Sequence, residues 1–463
     1  MLAEPGTTAV FGSYVLAEID GAPKLLRDQW LLLEGRRIVA IQAQRPLAET
    51  VLDAPGRLLL PGLMNLHNHC FSEMVARSNT EDGGARRGGG SVVYTVLLPL
   101  TRSGLQILSP EERMAIARMG VLGLLLGGAT TVMEPFRAGI PEMFDAAEEL
   151  GLRFYGAPYL FSTAAAKVGA DGRVEYHSEG GADDGAQDLA IWNALHAEWE
   201  GRDAGRIRLA MSPHATDTCH PDLLRAAAAR AKELGVPVTT HLAQSRGEVE
   251  LSLQRHGRSP ADYLDSLGLL PDLLAAHCVH CSDDDLRLMA ARGATVLNCP
   301  RVFARGGVAA SYAHFRSHGV RTLVGTDGYN LDLLGELNAA SMISKIQAGA
   351  RDVATSPALI GAVTRDAAAA IHRPDLGAIR VGATADITSI NLLHPHLQPL
   401  ADPLRAVVAL ANRANIDAVI VDGRVLVQNG RHVAADEARI TAEGAAAIQR
   451  IWDLPEAQAI FAG

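Results

Sequence analysis

Eight apolar runs, each followed by a stretch of helical spacing, occupy the middle of this chain and restrict it to a parallel α/β architecture. The runs are 58–69, 129–135, 153–161, 207–215, 236–244, 273–280, 294–300 and 321–328. Each is short enough for a strand and too continuous for an exposed antiparallel one. Parallel neighbours need a crossover between them, and PEERMAIARMGVLGLLLGG or PDLLRAAAARAKELG supplies one. Several of these segments end in glycine, as helix C-termini prefer. No G-x-G-x-x-G follows any strand, so a doubly wound dinucleotide fold has little support. The expectation is an α/β chain with a (β/α)8, TIM-like barrel over 59–380.

The two ends read differently. Residues 1–58 and 381–436 break into short strands and turns, among them E-G-R-R-I-V-A-I and V-I-V-D-G-R-V-L-V, the latter with the Asp-Gly of a tight hairpin. Their likeness predicts one small β-sandwich assembled from both chain ends. In the same reading VVALANRANID belongs to those strands, 437–463 is a helical tail, and the glycine-rich stretch 82–90 is a loop.

Composition excludes several classes of function. A formal net charge of −10 over 463 residues, without any run of Lys and Arg interleaved with aromatics, argues against a nucleic-acid groove. Five cysteines are few and odd in number, so a disulfide scaffold is not expected. No stretch of about 18 apolar residues occurs and the N-terminus lacks a signal-like pattern, so the expectation is a cytoplasmic protein without a membrane span.

Chemistry gathers where the strands stop. His67-Asn68-His69 closes the first run, and residues i and i+2 of a strand point the same way, so two imidazoles can converge on one ion. His241 ends the fifth run, His277 the sixth and Asp327 the eighth. In a barrel these ends share one rim, where active sites form. A mixed His/Asp set suits one divalent ion, zinc first, with iron or manganese as alternatives.

These residues also carry a family resemblance. P-G-L-M-N-L-H-N-H (61–69), T-H-L-A-Q (240–244), A-H-C (276–278) and G-T-D-G (325–328) resemble the amidohydrolase superfamily, in particular its cytosine deaminase-like and triazine hydrolase (chlorohydrolase) branch. The outer segments E-G-R-R-I-V-A-I, G-A-T-A-D-I and V-D-G-R-V-L-V-Q-N-G extend the likeness over nearly the whole chain. The resemblance implies that His67, His69, His241 and Asp327 hold a single ion. It places His277 beside the ion's water, with Asp327 accepting the proton, and His214 against the substrate. The implied activity is hydrolysis at a ring carbon of a nitrogen heterocycle, releasing ammonia or an amine, by an enzyme that forms a dimer or tetramer.

Two departures bear on that reading. Where deaminases of this branch carry a glutamate, three residues after the fifth-strand histidine, this chain has Gln244, which donates a hydrogen bond but does not titrate. Three readings stay open. Another acid serves, namely Glu73, Glu134 or a water held by His277; or the leaving group needs no proton, as with halide, or is cut from an amide or urea; or the protein is a non-catalytic metal-binding scaffold. Gln244 itself is expected to line the pocket and hydrogen-bond a ring atom. After the seventh run the chain reads Asn298-Cys299-Pro300-Arg301-Val302-Phe303, which offers Arg301 and Phe303 as substrate contacts. Arg77 and Arg137 on rim loops, and Phe71, Tyr94, Phe136 and Tyr159, share the choice between ligand contact and packing. His256, His314, His318 and His372 read as ordinary helix or loop histidines, and His280 as a neighbour of the site at most.

Overall fold

The computed structural model describes residues 5–76, 78, 96–162, 165–168, 174–177, 185–328 and 330–462. Arg77, Tyr94, the 82–90 stretch and the Glu73 side chain lie outside the described residues.

The barrel strands are Leu63–Asn65, Ala129–Phe136, Arg153–Leu160, a fourth split into Ile207–Leu209 and Ser212–Pro213, Thr239–Leu242, Leu274–His277, Thr295–Asn298 and Arg321–Val324. Strands one to four pair in parallel as one set and five to eight as another. Two parallel bridges, Met211 with Val238 and Asn68 with Asp327, join the sets and close the barrel. The second closure is functional as well as structural. The Asp327 N–H donates to the His67 carbonyl at 3.0 Å and the His69 N–H to the Asp327 carbonyl at 3.3 Å. Closing the ring therefore sets the His-Asn-His segment against the eighth-strand aspartate.

Inward positions of successive strands fill the barrel. Met64, Met133, Tyr155, Ala210, Leu274, Leu297 and Leu323 form one buried cluster, sealed by Ile371 and Leu376. The opposite faces pack under the helices, where Phe144 stacks on Trp199 at 5.1 Å and meets Phe136 and Phe154.

Both chain ends enter one nine-stranded sheet. Its path runs Arg431–His432, Arg424–Gln428, Ile416–Val421, Ile387–Asn391, Arg57–Pro61, Thr7–Ile19, Ala22–Glu34, Arg37–Gln42, with Thr50–Leu52 added beside Thr7–Ile19. The two arms of this sheet face each other across Val15, Leu31, Leu33, Ile38, Ile387 and Ile420, as a small sandwich requires. Gly423 sits where the arms touch. Its φ is +77°, its N–H donates to the Ala385 carbonyl at 2.9 Å, and a Cβ there would overlap the Gly35 carbonyl.

The segment 403–410 departs from the strand reading. It is a helix, Pro403–Leu410, because Asp402 caps it through Leu404 N–H at 2.9 Å and Arg405 N–H at 3.1 Å, and Pro403 opens its first turn. Val407 and Val408, which suggested a strand, are its buried face. The tail forms helices Glu437–Trp452 and Pro455–Ala462, the first lying on helix Pro110–Leu126 with Gly444 against Met119.

A buried ion pair ties the sandwich to the base of the barrel. Arg153, at the start of the third strand, donates to both oxygens of Asp386 at 3.0 Å each and to Asp422 at 3.3 Å. All three residues are buried. All five cysteines are free, and no described helix is long and apolar enough to cross a membrane.

Candidate active site

Five residues predicted to share the rim do so. The rings of His67 and His69 lie 4.8 Å apart, His67 and His241 5.1 Å, His67 and His277 5.0 Å, and His241 and His277 5.2 Å. Asp327 faces two of them, with Oδ1 3.4 Å from His69 Nε2 and Oδ2 3.6 Å from His277 Nε2. The donor atoms fall into two overlapping groups that share His67. One is His67, His69 and His241; the other is His67, His277, Cys299 and Asp327; within each group all donors lie within 4.8 Å of one another.

Hydrogen bonding decides which atoms point inward. His69 Nδ1 lies 2.8 Å from the Pro135 carbonyl and His241 Nδ1 2.9 Å from the His214 carbonyl. A carbonyl only accepts, so each Nδ1 carries a hydrogen and each Nε2 is the atom turned inward, the orientation that metal-binding histidines take. His69 Nε2 faces an Asp327 carboxylate oxygen at 3.4 Å. His67 is 1% exposed and neither of its ring nitrogens has a hydrogen-bond partner. A buried imidazole left in that state is costly unless it is a ligand. The donor set thus fits a divalent ion.

Electrostatics favour the ligand-competent form. Burial, reinforced by the neighbouring imidazoles, holds His67 and His277 well below the usual histidine range and brings His241 down to about 3. Burial raises the Asp327 carboxyl, opposed by His69 and by the Gly328 N–H, which donates to Oδ1 at 2.7 Å. The Cys299 thiol is held neutral by burial and by the charges of Asp327 and Glu336. The backbone is strained here too, since His277, Cys278, Asp327 and Ala243 all have positive φ, at 76°, 54°, 57° and 46°. Non-glycine residues in that region cost about 1–3 kcal/mol each and persist where surrounding structure enforces them, typically at functional sites.

The rim residues divide. His214 is buried, with Phe161 stacked on it at 4.5 Å, Tyr159 edge-on at 4.9 Å, and Nδ1 2.9 Å from the Thr218 hydroxyl. The exposed Arg137 lies over the Phe161 ring at 4.3 Å. Phe303 meets His277 edge-on at 4.8 Å. Arg301 faces a partner within the protein: its Nε is 3.7 Å from the buried Glu336, whose other oxygen accepts from the Arg301 N–H at 3.3 Å. Phe71 and Phe136 are core residues. His280 sits in the turn after the sixth strand, half-buried, its N–H on the Ala243 carbonyl at 3.0 Å. Sequence reasoning misses Phe161, although it directly follows the third strand, Arg153–Leu160, at a strand end like that closed by His277.

Glu134 and Glu248 acquire definite places. Glu134 accepts from the Asn68 amide at 2.7 Å and the Phe71 N–H at 3.3 Å, so it braces the His-Asn-His segment from behind. Glu248 spans the loops after strands four and five, accepting from the Thr216 hydroxyl at 2.7 Å and the Gln244 N–H at 2.9 Å. Burial, then the nearby Asp217, push its carboxyl up from 4.5 to about 8. The folded state therefore binds more protons than the unfolded one between those values, and the stability contributed by this carboxyl is lost as pH rises through about 8. Glu248→Gln keeps an acceptor for Gln244 without the ionisation. Its urea midpoint is expected to gain on the parent's between about pH 5 and about pH 9. Parallel pH profiles for the two proteins would contradict this.

Comparison with known proteins agrees with this geometry. Residues 58–426, more than half of the chain, match the model of the amidohydrolase family. A protein of Methanothermobacter thermautotrophicus named 5′-deoxyadenosine deaminase is 31% identical over 445 residues, covering 91% of this chain and 95% of its own. A protein of Halobacterium salinarum named 5-methylthioadenosine/S-adenosylhomocysteine deaminase is 31% identical over 421 residues, covering 89% and 91%. Among solved structures, a zinc complex of atrazine chlorohydrolase from Arthrobacter aurescens superposes with a TM-score of 0.81 at 25% identity, over 95% of this chain and 100% of that one. A zinc-bound adenosine deaminase from Xanthomonas campestris gives 0.85 at 23% identity, over 97% and 100%, a likeness that speaks to the fold. A rim of histidines and one aspartate built for a divalent ion, on a barrel matched along most of its length, has one consistent reading: the chain belongs to the amidohydrolase family and is a hydrolase of carbon–nitrogen bonds other than peptide bonds.

Proposed function

We propose that this protein is a zinc-dependent aminohydrolase that removes ammonia or an amine from a ring carbon of a nitrogen heterocycle, with purine nucleosides as the first substrate class to test. The observation that carries the reading is the buried His67, neither ring nitrogen of which has a hydrogen-bond partner, with the donor atoms of His69, His241, His277 and Asp327 gathered round it. The nucleoside class follows from the relatives' names.

In this reading His67, His69, His241 and Asp327 hold the ion. When bound, a zinc ion makes water acidic near neutral pH and polarises the electrophile. Asp327 takes a proton on Oδ2, beside His277 Nε2, and returns it to the departing nitrogen. His277 donates to the ring atom at which negative charge develops. Gln244 holds the heterocycle through its carboxamide, which does not titrate. His214, backed by Phe161, and Phe303 against His277 supply the walls for a planar ring. Arg301, on the loop after the seventh strand, has its guanidinium facing Glu336.

Gln244 favours one second reading: loss of a leaving group that departs as a stable anion, such as halide, and so needs no proton from a carboxylic acid. A release assay on the zinc-loaded protein separates the two. It would follow ammonia, amines and halide from 5′-substituted adenosines, free purines, pyrimidines, pterins and amino- or chloro-triazines. Ammonia or amine release supports the proposal. Halide release without any C–N turnover would replace it with the second reading.

A further inference from the structure

A second set of metal-ligating side chains lies outside the barrel mouth. His314 is on helix Tyr312–Ser317 and His318 is its C-cap, four residues on, so both side chains share one face; their rings are 4.8 Å apart. Asp283, the first residue of helix Asp283–Ala291, reaches them from another element. Its Oδ1 is 3.3 Å from His318 Nε2 and 3.8 Å from His314 Nε2. The donor atoms of all three lie within 4.8 Å of one another. A capping box between Ser282 and Asp285 fixes the turn that carries Asp283.

Backbone contacts orient the His318 ring. Its Nδ1 lies 3.0 Å from the His314 carbonyl, which only accepts, so Nδ1 carries the hydrogen. Ser317 Oγ is 3.4 Å from the same nitrogen, but its own hydrogen goes to the His314 carbonyl at 2.7 Å. His318 Nε2 is therefore the ring atom turned toward the Asp283 carboxylate, and His314 Nε2 faces the same oxygen, so three possible ligand atoms from two elements converge on one point. A tetrahedral ion with bonds of about 2.0–2.1 Å sets neighbouring donors about 3.3–3.4 Å apart; Asp283 Oδ1 stands 3.3 Å from His318 Nε2 and 3.8 Å from His314 Nε2, so a small rotation of His314 completes the set. Two imidazoles and one carboxylate, partly exposed, suit a divalent transition metal with its remaining positions open to water.

We propose that Asp283, His314 and His318 form a second, exterior site for a divalent transition-metal cation such as zinc, which clamps helix Asp283–Ala291 to helix Tyr312–Ser317. This is independent of the reading of the barrel mouth. The test is calorimetric titration of zinc into protein already loaded at the barrel mouth. One further equivalent per chain is expected, together with a zinc-dependent rise in thermal midpoint, as follows when a ligand binds only the folded state. In His314→Ala/His318→Ala both are expected to vanish, while the first equivalent and the hydrolytic activity stay at parental levels. If the parent takes up no further zinc, or the double variant takes up as much as the parent, the proposal is overturned and the cluster is an ion pair between Asp283 and a protonated histidine.

Discussion

Asp327→Asn is expected to lower kcat/KM by about 10³–10⁴-fold without unfolding the chain. The backbone of Asp327 closes the barrel through His67 and His69, and those hydrogen bonds survive the substitution. The side chain is what changes. A carboxamide cannot take a proton as a carboxylate does, and its neutral oxygen is a weaker partner for a cation beside His69 and His277. Its NH2 group, in the place of Oδ1, would also meet His69 Nε2 as a donor and compete with the ion for that nitrogen. Steady-state kinetics on the substrate identified by the release assay, with metal content determined on the same samples, separates the two contributions. A variant with full zinc and a collapsed rate places Asp327 in proton transfer, and a variant with neither places it chiefly in ion binding. Retention of more than about a tenth of the parental kcat/KM would contradict both roles.

The second large effect concerns stability. Asp386→Ala is expected to cost about 3–5 kcal/mol, because it removes the bidentate partner of a fully buried guanidinium and leaves Arg153 with Asp422 alone. Asp386 also accepts the Asp422 N–H at 2.7 Å, so its loss loosens the hairpin that carries Gly423. Replacing Arg153 and Asp386 together by apolar residues of similar volume is expected to cost much less, since no buried charge is then left uncompensated. Urea unfolding of the single and double variants gives the comparison. A single variant within about 1 kcal/mol of the parent would show that the pair is not the anchor between sandwich and barrel.

The rim residues were legible because they follow apolar runs in a period the fold imposes. Parallel strands buried on both faces advertise themselves, and a histidine or aspartate that ends such a run stands out. The sandwich was legible for the same local reason, through its Asp-Gly hairpin. The helix Pro403–Leu410 was not, because six apolar residues in a row have no period, and only the Asp402 cap and the surface offered by helix Leu333–Ala348 decide the matter. Arg301 is comparable. Its position on a rim loop is legible, whereas the buried Glu336 that faces it comes from a helix 35 residues further on.

By itself the sequence determined which side chains could reach a common rim: strand period and strand ends are local properties, and they put His67, His69, His241, His277 and Asp327 at equivalent heights. Tertiary structure alone decided how those side chains are used. Which ring nitrogen keeps its hydrogen depends on the Pro135 and His214 carbonyls, brought in from other strands, and whether a carboxylate is paired, braced or free depends on neighbours tens to hundreds of residues away. Hydrogen bonds and charges act through distances in space, and the chain's order carries no record of those until the barrel closes.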